Sequence, residues 1–552
     1  LREPELKRER SLRKIDMVQD RHLLFRRVRK QSLLLALITV AALAPFLNKA
    51  FHIDDPLFIW MAQQVVKHPL DPYGFEVNWA TYPQPAFEQI QNPPLCAYYI
   101  AAVGAVFGWS EIALHAAFLF WATMSIFGTF VLARRFCDKP FQAALFTLFT
   151  PVFLVSATNV MCDVMLLALW LWSIELWLRG LELNKWTLSI LSALLIVAAA
   201  LTKYFGIALV PLLALYTIWR NWRQTWRILF LLLPIIAVIA YDLWTKSKYG
   251  RGLFSDAAFY AQNIGARSTS TFAAQFLTGL AFLGGSIALS LFYLPLRSRA
   301  QLLITLAISV ATFAGCWFLL PMNPDWHLGA NELLVRFEAA LFATIGANIL
   351  TWVIVDLAQR RSAKRILLAA WLVGTFVFAT FLNWSITART FLPLAPVAAI
   401  LFVRRISTAW LLLPAAIISF AVAFADFKQA NSARSTAKHF QKQFRDQRVT
   451  AWFQSHWGFQ YYMQQWGAKP FDARDVRAES GDVMIVPANN TAVTPIPPDK
   501  IFPPEEQTSE VLPFVSTMGL QTGASFYSSV RGPLPWAVDQ VPPEKYYVAR
   551  FR

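Results

Sequence analysis

Charge is scarce in this chain. Lys, Arg, Asp and Glu supply only 15% of its 552 residues, against about 25% in a soluble domain. That deficit excludes a wholly water-soluble protein, because most of the chain must face lipid or other apolar helices. Cysteine is sparse too. Cys96, Cys137, Cys162 and Cys316 are the only four, and none forms a CxxC pair, so neither a disulfide framework nor a zinc-finger spacing is present. No glycine-rich nucleotide loop occurs. Self-similarity at a fixed period is also missing, and with it the inverted-repeat sign of secondary transporters.

What fills the chain instead is apolar sequence, 56% of all residues. The runs continue almost without pause from residue 31 to residue 425. They divide into thirteen predicted membrane spans at about 32–51, 111–133, 141–158, 163–179, 187–201, 204–219, 228–244, 272–295, 301–320, 333–357, 366–382, 390–403 and 408–425. Pro94 to Gly108 is apolar but too short for a span, and is read as an interfacial or re-entrant helix. With that choice the basic residues fall on one side: Arg134, Arg135 and Lys139, then Lys185, then Arg220, Arg223 and Arg227, then Arg297 and Arg299, then Arg360, Arg361, Lys364 and Arg365, then Arg404 and Arg405. This alternation is the positive-inside signature, and it absorbs the formal charge of +17 without nucleic acid as a partner. It predicts a cytoplasmic N-terminus. Residues 1–30 read as a basic cytoplasmic tail, and residues 31–425 as the membrane domain with an outer-face loop at 52–110. Residues 426–552 read as an extracytoplasmic α/β domain, with a helix over 430–447 and strands at Val449 to Phe453, Val483 to Val486, Val511 to Val515 and Tyr546 to Phe551. The fold class is a polytopic α-helical membrane protein with a small C-terminal α/β domain.

Candidate chemistry gathers on the outer side. Residues 52–92 carry Asp54, Asp55, Asp71, Glu76 and Glu88 against a single Lys67. Pro56 opens an amphipathic helix suited to the membrane interface. Asp55, just before that proline, reads as its N-cap. Asp54 has no such structural duty, and a carboxylate at the membrane surface can serve as a general base. Asp163 opens a span, where an acid also favours the helix N-terminus. Lys203 interrupts an apolar stretch, and either snorkels to the interface or meets an anion. Arg389 sits at the outer end of a span, where the positive-inside rule gives no reason for it. The outer loop with Lys246, Lys248, Arg251 and Arg267 is anomalous in the same way. Such cations suit a phosphorylated lipid, by charge-assisted hydrogen bonds to phosphate, or outer-leaflet headgroups in general. His52, His327 and Glu332 lie near the same face but match no metal motif, and read as structural. No cofactor is required, and a divalent metal is left open.

An acid pair after the first span, Asn92-Pro93-Pro94-Leu95, Cys162-Asp163, Leu201-Thr202-Lys203 and Arg389-Thr390-Phe391-Leu392-Pro393 occur in this order. Together they resemble the GT-C class of membrane glycosyltransferases, in particular the bacterial relatives of protein mannosyltransferases and the lipid A aminoarabinose transferase. The resemblance covers roughly residues 30–425. It implies a polyprenyl-phosphate sugar as donor and an outer-face hydroxyl on a lipid, glycan or protein as acceptor, in a bacterial inner membrane. It also implies that Asp54 is the catalytic acid of the first loop and Asp55 its acidic neighbour, with Asp163, Lys203 and Arg389 lining the donor headgroup site. Asn92 stands where several relatives have Lys. His456-Trp457-Gly458-Phe459-Gln460-Tyr461-Tyr462 looks like a post-membrane segment of some bacterial members, with no role implied. The expected activity is glycosyl transfer. The alternatives are a polyprenyl-glycan transporter, whose cations would trace a path across the bilayer, and an O-antigen-type ligase.

Overall fold

The computed structural model describes residues 28–552 except 91, 268–270, 290–298, 323–330, 360, 407, 448 and 492. The tail 1–27, Arg297, Arg360 and His327 therefore lie outside the described residues, and so do the side chain of Arg267 and the end of the span predicted at 272–295. Every predicted span coincides with a helix. Among the described residues eight helices are long and apolar enough to cross a membrane, or nine when one bent pair counts as a single span. Four further predicted spans correspond to the shorter apolar helices Trp186–Thr202, Tyr204–Arg220, Phe272–Ile287 and Leu394–Val403. The chain is thus a polytopic helical membrane protein.

Two local departures from the sequence reading have plain causes. The span predicted at 141–158 is broken into Pro140–Leu148 and Pro151–Ala157, bent by 64°. Pro151 has no N–H to continue the first helix, and Thr150 caps the second by accepting from the Phe153 N–H. Leu95–Phe107 is 13 residues long, about 20 Å of helix, short of a bilayer core of about 30 Å. It packs against the interfacial helix Asp55–Lys67, and the Tyr98 hydroxyl donates to the Pro69 carbonyl at 2.5 Å.

The last apolar helix does not stop at the predicted boundary. Leu412–Phe444 is one helix of 33 residues. Its polar end lies over a five-stranded sheet built from β1 (Ala451–Phe453), β2 (Lys469–Pro470), β3 (Val483–Pro487), β4 (Glu505–Ser509) and β5 (Glu544–Arg550), in the order β2-β1-β3-β5-β4. The three strands β2, β1 and β3 are parallel, and β5 and β4 add antiparallel to the edge. The helix Trp457–Trp466 connects β1 to β2 and covers the same face as Phe440 and Phe444, which pack with Phe453, Phe459, Met463, Val483, Ile485 and Tyr546. The strand expected at Val511 to Val515 is absent; the edge strand is β4 instead. Pro513 cannot donate to a ladder, whereas β4 reads Glu-Glu-Gln-Thr-Ser and is largely exposed, so it carries no apolar pattern to recognise.

Between β4 and β5 the chain returns to the helices. Val515, Met518, Phe526, Leu534 and Trp536 belong to the main helical core rather than to the core of the sheet. The Trp536 indole N–H donates to the Gly285 carbonyl at 2.8 Å. One buried charge pair fastens this arrangement. Lys49 Nζ lies 2.5 Å from Asp426 Oδ2, and both side chains are fully buried. Lys49 also donates to Asn159 Oδ1 at 2.5 Å. Asp426 accepts from the hydroxyls of Thr517 at 2.8 Å and Tyr527 at 2.9 Å. The first span, the last helix and the returning segment thus meet on one carboxylate. Breaking such a pair leaves an uncompensated buried charge. Asp426→Asn is expected to destabilise the protein by about 3–5 kcal/mol, seen as a lowered Tm of the detergent-purified protein. A Tm equal to that of the original protein would show that the pair is not a fastening.

Candidate active site

Asp54, Lys203 and Arg389 each stand where the chain changes direction. Asp54 occupies the cap position of the helix Asp55–Lys67, but its side chain makes no capping bond. Asp55, expected to be that cap, is instead the first helical residue. Its Oδ2 accepts from the His52 N–H at 2.8 Å and its Oδ1 from the Val160 N–H at 2.9 Å. Asp55 therefore ties the outer loop to the turn before the helix Cys162–Glu182. Burial raises its pKa to about 7, opposed by Lys49 and then by the two N–H donors. The preceding Ile53 has φ +47°, a left-handed conformation costly for a β-branched residue.

Lys203 lies at the tip of a tight helical hairpin. The helix Trp186–Thr202 ends there, and the chain turns at once into the 3-10 segment Tyr204–Ala208. Gly206 permits the turn, since a Cβ on it would stand 2.4 Å from the Ala199 backbone. Arg389 belongs to a single 3-10 turn, Ala388–Phe391, capped by Thr387. The returning C-terminal segment supports this turn: the Ala388 N–H donates to the Phe526 carbonyl at 2.9 Å, and the Ser529 N–H to the Ile386 carbonyl at 2.8 Å.

These three turns and Asp163, in the first turn of Cys162–Glu182, converge. Arg389 Nη2 is 2.9 Å from Asp54 Oδ2, and Nη1 is 3.7 Å from Asp163 Oδ2. Lys203 Nζ completes the chain at 2.7 Å from Asp163 Oδ1. The order is acid, base, acid, base, and the formal charges cancel. The Asp54 side chain is 30% exposed and the Asp163 side chain 3%, so the two carboxylates are unequal in access. The Tyr527 ring lies 5.1 Å from the guanidinium carbon of Arg389, a cation–π distance. Burial opposes the charge of Arg389, but Asp54 and then Asp163 outweigh it, and its pKa is raised. Its Nε is buried and has no hydrogen-bond partner among the described residues.

Of the other candidates, Asn92 borders the group: its Oδ1 is 3.8 Å from the Cys162 thiol. Lys248 and Arg251 do not join the chain of contacts. Lys248 lies 3.6 Å from Asp71, and Arg251 3.3 Å from Asp256 and 3.9 Å from Glu88. Local acids already neutralise them. Lys248 instead lines a cleft of about 340 Å³ with Asp71, Tyr73, Phe75, Glu76, Phe87 and Tyr249. Arg267 ends the helix Leu253–Arg267. His52 is buried against Tyr527 at a ring separation of 5.5 Å. Burial lowers its pKa to about 4, with Lys49 and Arg389 adding and Asp426 opposing, so it is neutral near pH 7. Among the described residues no group of three or more His, Cys, Asp or Glu is arranged to hold a metal ion. The sequence reading missed Lys49, Asp426 and Tyr527. Lys49 carries the same signal as Lys203, a cation at the end of a predicted span away from the basic loops. Tyr527, a tyrosine in a Ser-rich stretch, carries none.

Residues 91–244 match the family described as dolichyl-phosphate-mannose-protein mannosyltransferase. This bears out the resemblance to GT-C membrane glycosyltransferases. No curated protein matches the chain. An oligosaccharyltransferase of Archaeoglobus fulgidus, crystallised with Zn and sulfate, aligns at TM-score 0.47 and 12% identity over 83% of this chain and 68% of its own. ArnT from Cupriavidus metallidurans, bound to undecaprenyl phosphate, aligns at TM-score 0.43 and 14% identity over 84% of this chain and 92% of its own.

The unequal burial of the two acids has a measurable consequence. Asp163→Asn removes the carboxylate shared by two cations and is expected to cost about 3 kcal/mol or more. Asp54→Asn leaves Arg389 with Asp163 and is expected to cost no more than about 1 kcal/mol. Thermal unfolding of the two variants in one detergent checks the order. Equal or reversed losses would remove the distinction between a structural and an available carboxylate.

Proposed function

We propose that this protein transfers a sugar from a polyprenyl-phosphate-linked donor to an acceptor hydroxyl on the outer face of a bacterial inner membrane. The acceptor class is a lipid, glycan or protein, and the sugar a hexose or pentose. The observation that carries the reading is Arg389. It is a largely buried guanidinium between two carboxylates, with its Nε–H still unmet. A phosphate oxygen is the natural acceptor for that N–H.

The four groups sum to zero charge, so a phosphate docking on the unmet Nε–H adds negative charge that weakens the hold of the carboxylates on Arg389. Asp54 is the more exposed of the two and the one free to leave. Its carboxylate then takes the proton of the acceptor hydroxyl. The acceptor oxygen bonds to the anomeric carbon as the bond from that carbon to the phosphate oxygen breaks. Polyprenyl phosphate leaves as the anion, stabilised by Arg389 and Lys203. Asp55 is assigned to holding the loop, because both its oxygens are engaged by backbone N–H groups. A lipid-tethered donor also fits the sequence, which has no nucleotide-binding glycine loop. We further propose that the N-terminus is cytoplasmic and that residues 426–552 are extracytoplasmic, as the alternation of basic loops demands.

Two measurements test this reading. Mass analysis of lipid and protein glycans, with and without the protein, should reveal a dependent sugar that Asp54→Asn abolishes while the variant is still made and folded. A fully active Asp54→Asn protein would overturn the assignment. A thiol probe on Asn490→Cys should label without opening the membrane; labelling only after permeabilisation would invert the topology.

A further inference from the structure

The aromatic segment His456 to Tyr462 takes no part in the chain of ion pairs, yet it meets the residues just before Asp54. Gly458 is pressed against the backbone there, and a Cβ on it would stand 2.1 Å from the Phe51 carbonyl oxygen. The Phe51 N–H donates to the Tyr462 hydroxyl at 2.8 Å. That hydroxyl donates to Glu111 Oε1 at 2.9 Å. The Tyr461 ring meets the Phe51 ring edge-on at 5.1 Å. Asn431 and Arg434, on the helix Leu412–Phe444, grip the same strand of chain. The Ala50 N–H donates to Asn431 Oδ1 at 3.0 Å, and Arg434 Nη2 to the Asn48 carbonyl at 3.0 Å. Arg434 Nη1 returns to Glu111 at 3.0 Å.

The backbone of residues 48–51 is therefore held at Asn48, Ala50 and Phe51 by side chains and a glycine from beyond residue 426. Immediately afterwards comes the left-handed Ile53, and then Asp54. A β-branched residue stays in that conformation only where its surroundings fix it. The clamp is itself in an uncommon conformation, with Ser455 at φ +88° and Trp457 at φ +69° where the chain enters the helix Trp457–Trp466. Backbones in sparsely populated conformations face each other across one joint.

We infer that the helix Trp457–Trp466, with Asn431 and Arg434, is a positioning device for Asp54: it fixes residues 48–51 so that the turn at Ile53 delivers the carboxylate to Arg389. This rests on the role proposed for Asp54. Tyr462, Gly458 and Asn431 touch no reacting group and act through the backbone of the loop. The extracytoplasmic region is thereby a working part of the transferase site.

The test uses the full chain in nanodiscs. Tyr462→Phe removes the acceptor for the Phe51 N–H, and Asn431→Leu the acceptor for the Ala50 N–H. Asn431→Asp keeps the accepting oxygen and is the conservative rescue. Gln465→Ala, exposed on the same helix, is the control. Hydrogen exchange in peptides spanning 48–56 should rise about tenfold or more in Tyr462→Phe and Asn431→Leu, and stay at the original level in Asn431→Asp and Gln465→Ala. Affinity for undecaprenyl phosphate should change by no more than about twofold, while formation of the dependent glycan falls about tenfold or more. Unchanged exchange would overturn the clamp. Raised exchange with undiminished glycan would overturn its positioning role, and so would loss of lipid-phosphate affinity in parallel with activity, which marks general unfolding. If the original protein yields no dependent glycan, the proposed function fails, while the exchange measurement still decides whether the loop is held.

Discussion

Withdrawing a guanidinium from water at the edge of an apolar helical bundle is unfavourable, and carboxylates offset that most fully. Arg389 meets two, and the site is organised around that requirement. Asp54 comes from the first outer loop, Asp163 from the start of a long helix, and Lys203 from the tip of a helical hairpin. Asp54, Lys203 and Arg389 are each placed by a local device: a left-handed residue before Asp54, the close approach of Gly206 behind Lys203, and a capped 3-10 turn under Arg389. The pairing makes the assembly neutral and stable without substrate. In the proposed function it also sets the condition for activity, because a phosphate arriving at Arg389 competes with the more exposed carboxylate, and its binding is coupled to release of the proposed base.

A second buried pair, Lys49 with Asp426, stands behind the first. Tyr527 links the two, since its hydroxyl bonds Asp426 and its ring faces Arg389. The segment after residue 515 is consequently no mere appendage of the sheet. Its backbone bonds to residues 386–388 support the turn that carries Arg389, while the helix Trp457–Trp466 grips the loop that carries Asp54. Both halves of the central ion pair are thus held from the C-terminal side.

Much of this was legible in the sequence, for identifiable reasons. Helices that must satisfy every backbone group in lipid announce themselves by composition, so each predicted span coincides with a helix even where, as at Pro151, the helix is broken. Arg389 and Lys203 stood out because the positive-inside rule gave no reason for them, and Asp54 because capping did not need it. The same reasoning went too far with Lys248 and Arg251, whose neutralising acids Asp71, Glu88 and Asp256 are local partners that a rule about loops does not weigh. It also misread Asp55, since a cap and a tether to a distant N–H look alike in one dimension. Tyr527 and the grip of Gly458 on Phe51 were invisible, because contacts between residues so far apart in sequence leave no periodicity.

The most direct measurement is the structure of the protein in nanodiscs with undecaprenyl phosphate bound. The phosphate should lie within hydrogen-bond distance of the Arg389 guanidinium, with the contact from Asp54 to Arg389 opened and that from Asp163 to Lys203 kept. A phosphate seated elsewhere, for example against Lys248 and Arg251, with Asp54 still closed on Arg389, would contradict the shared site.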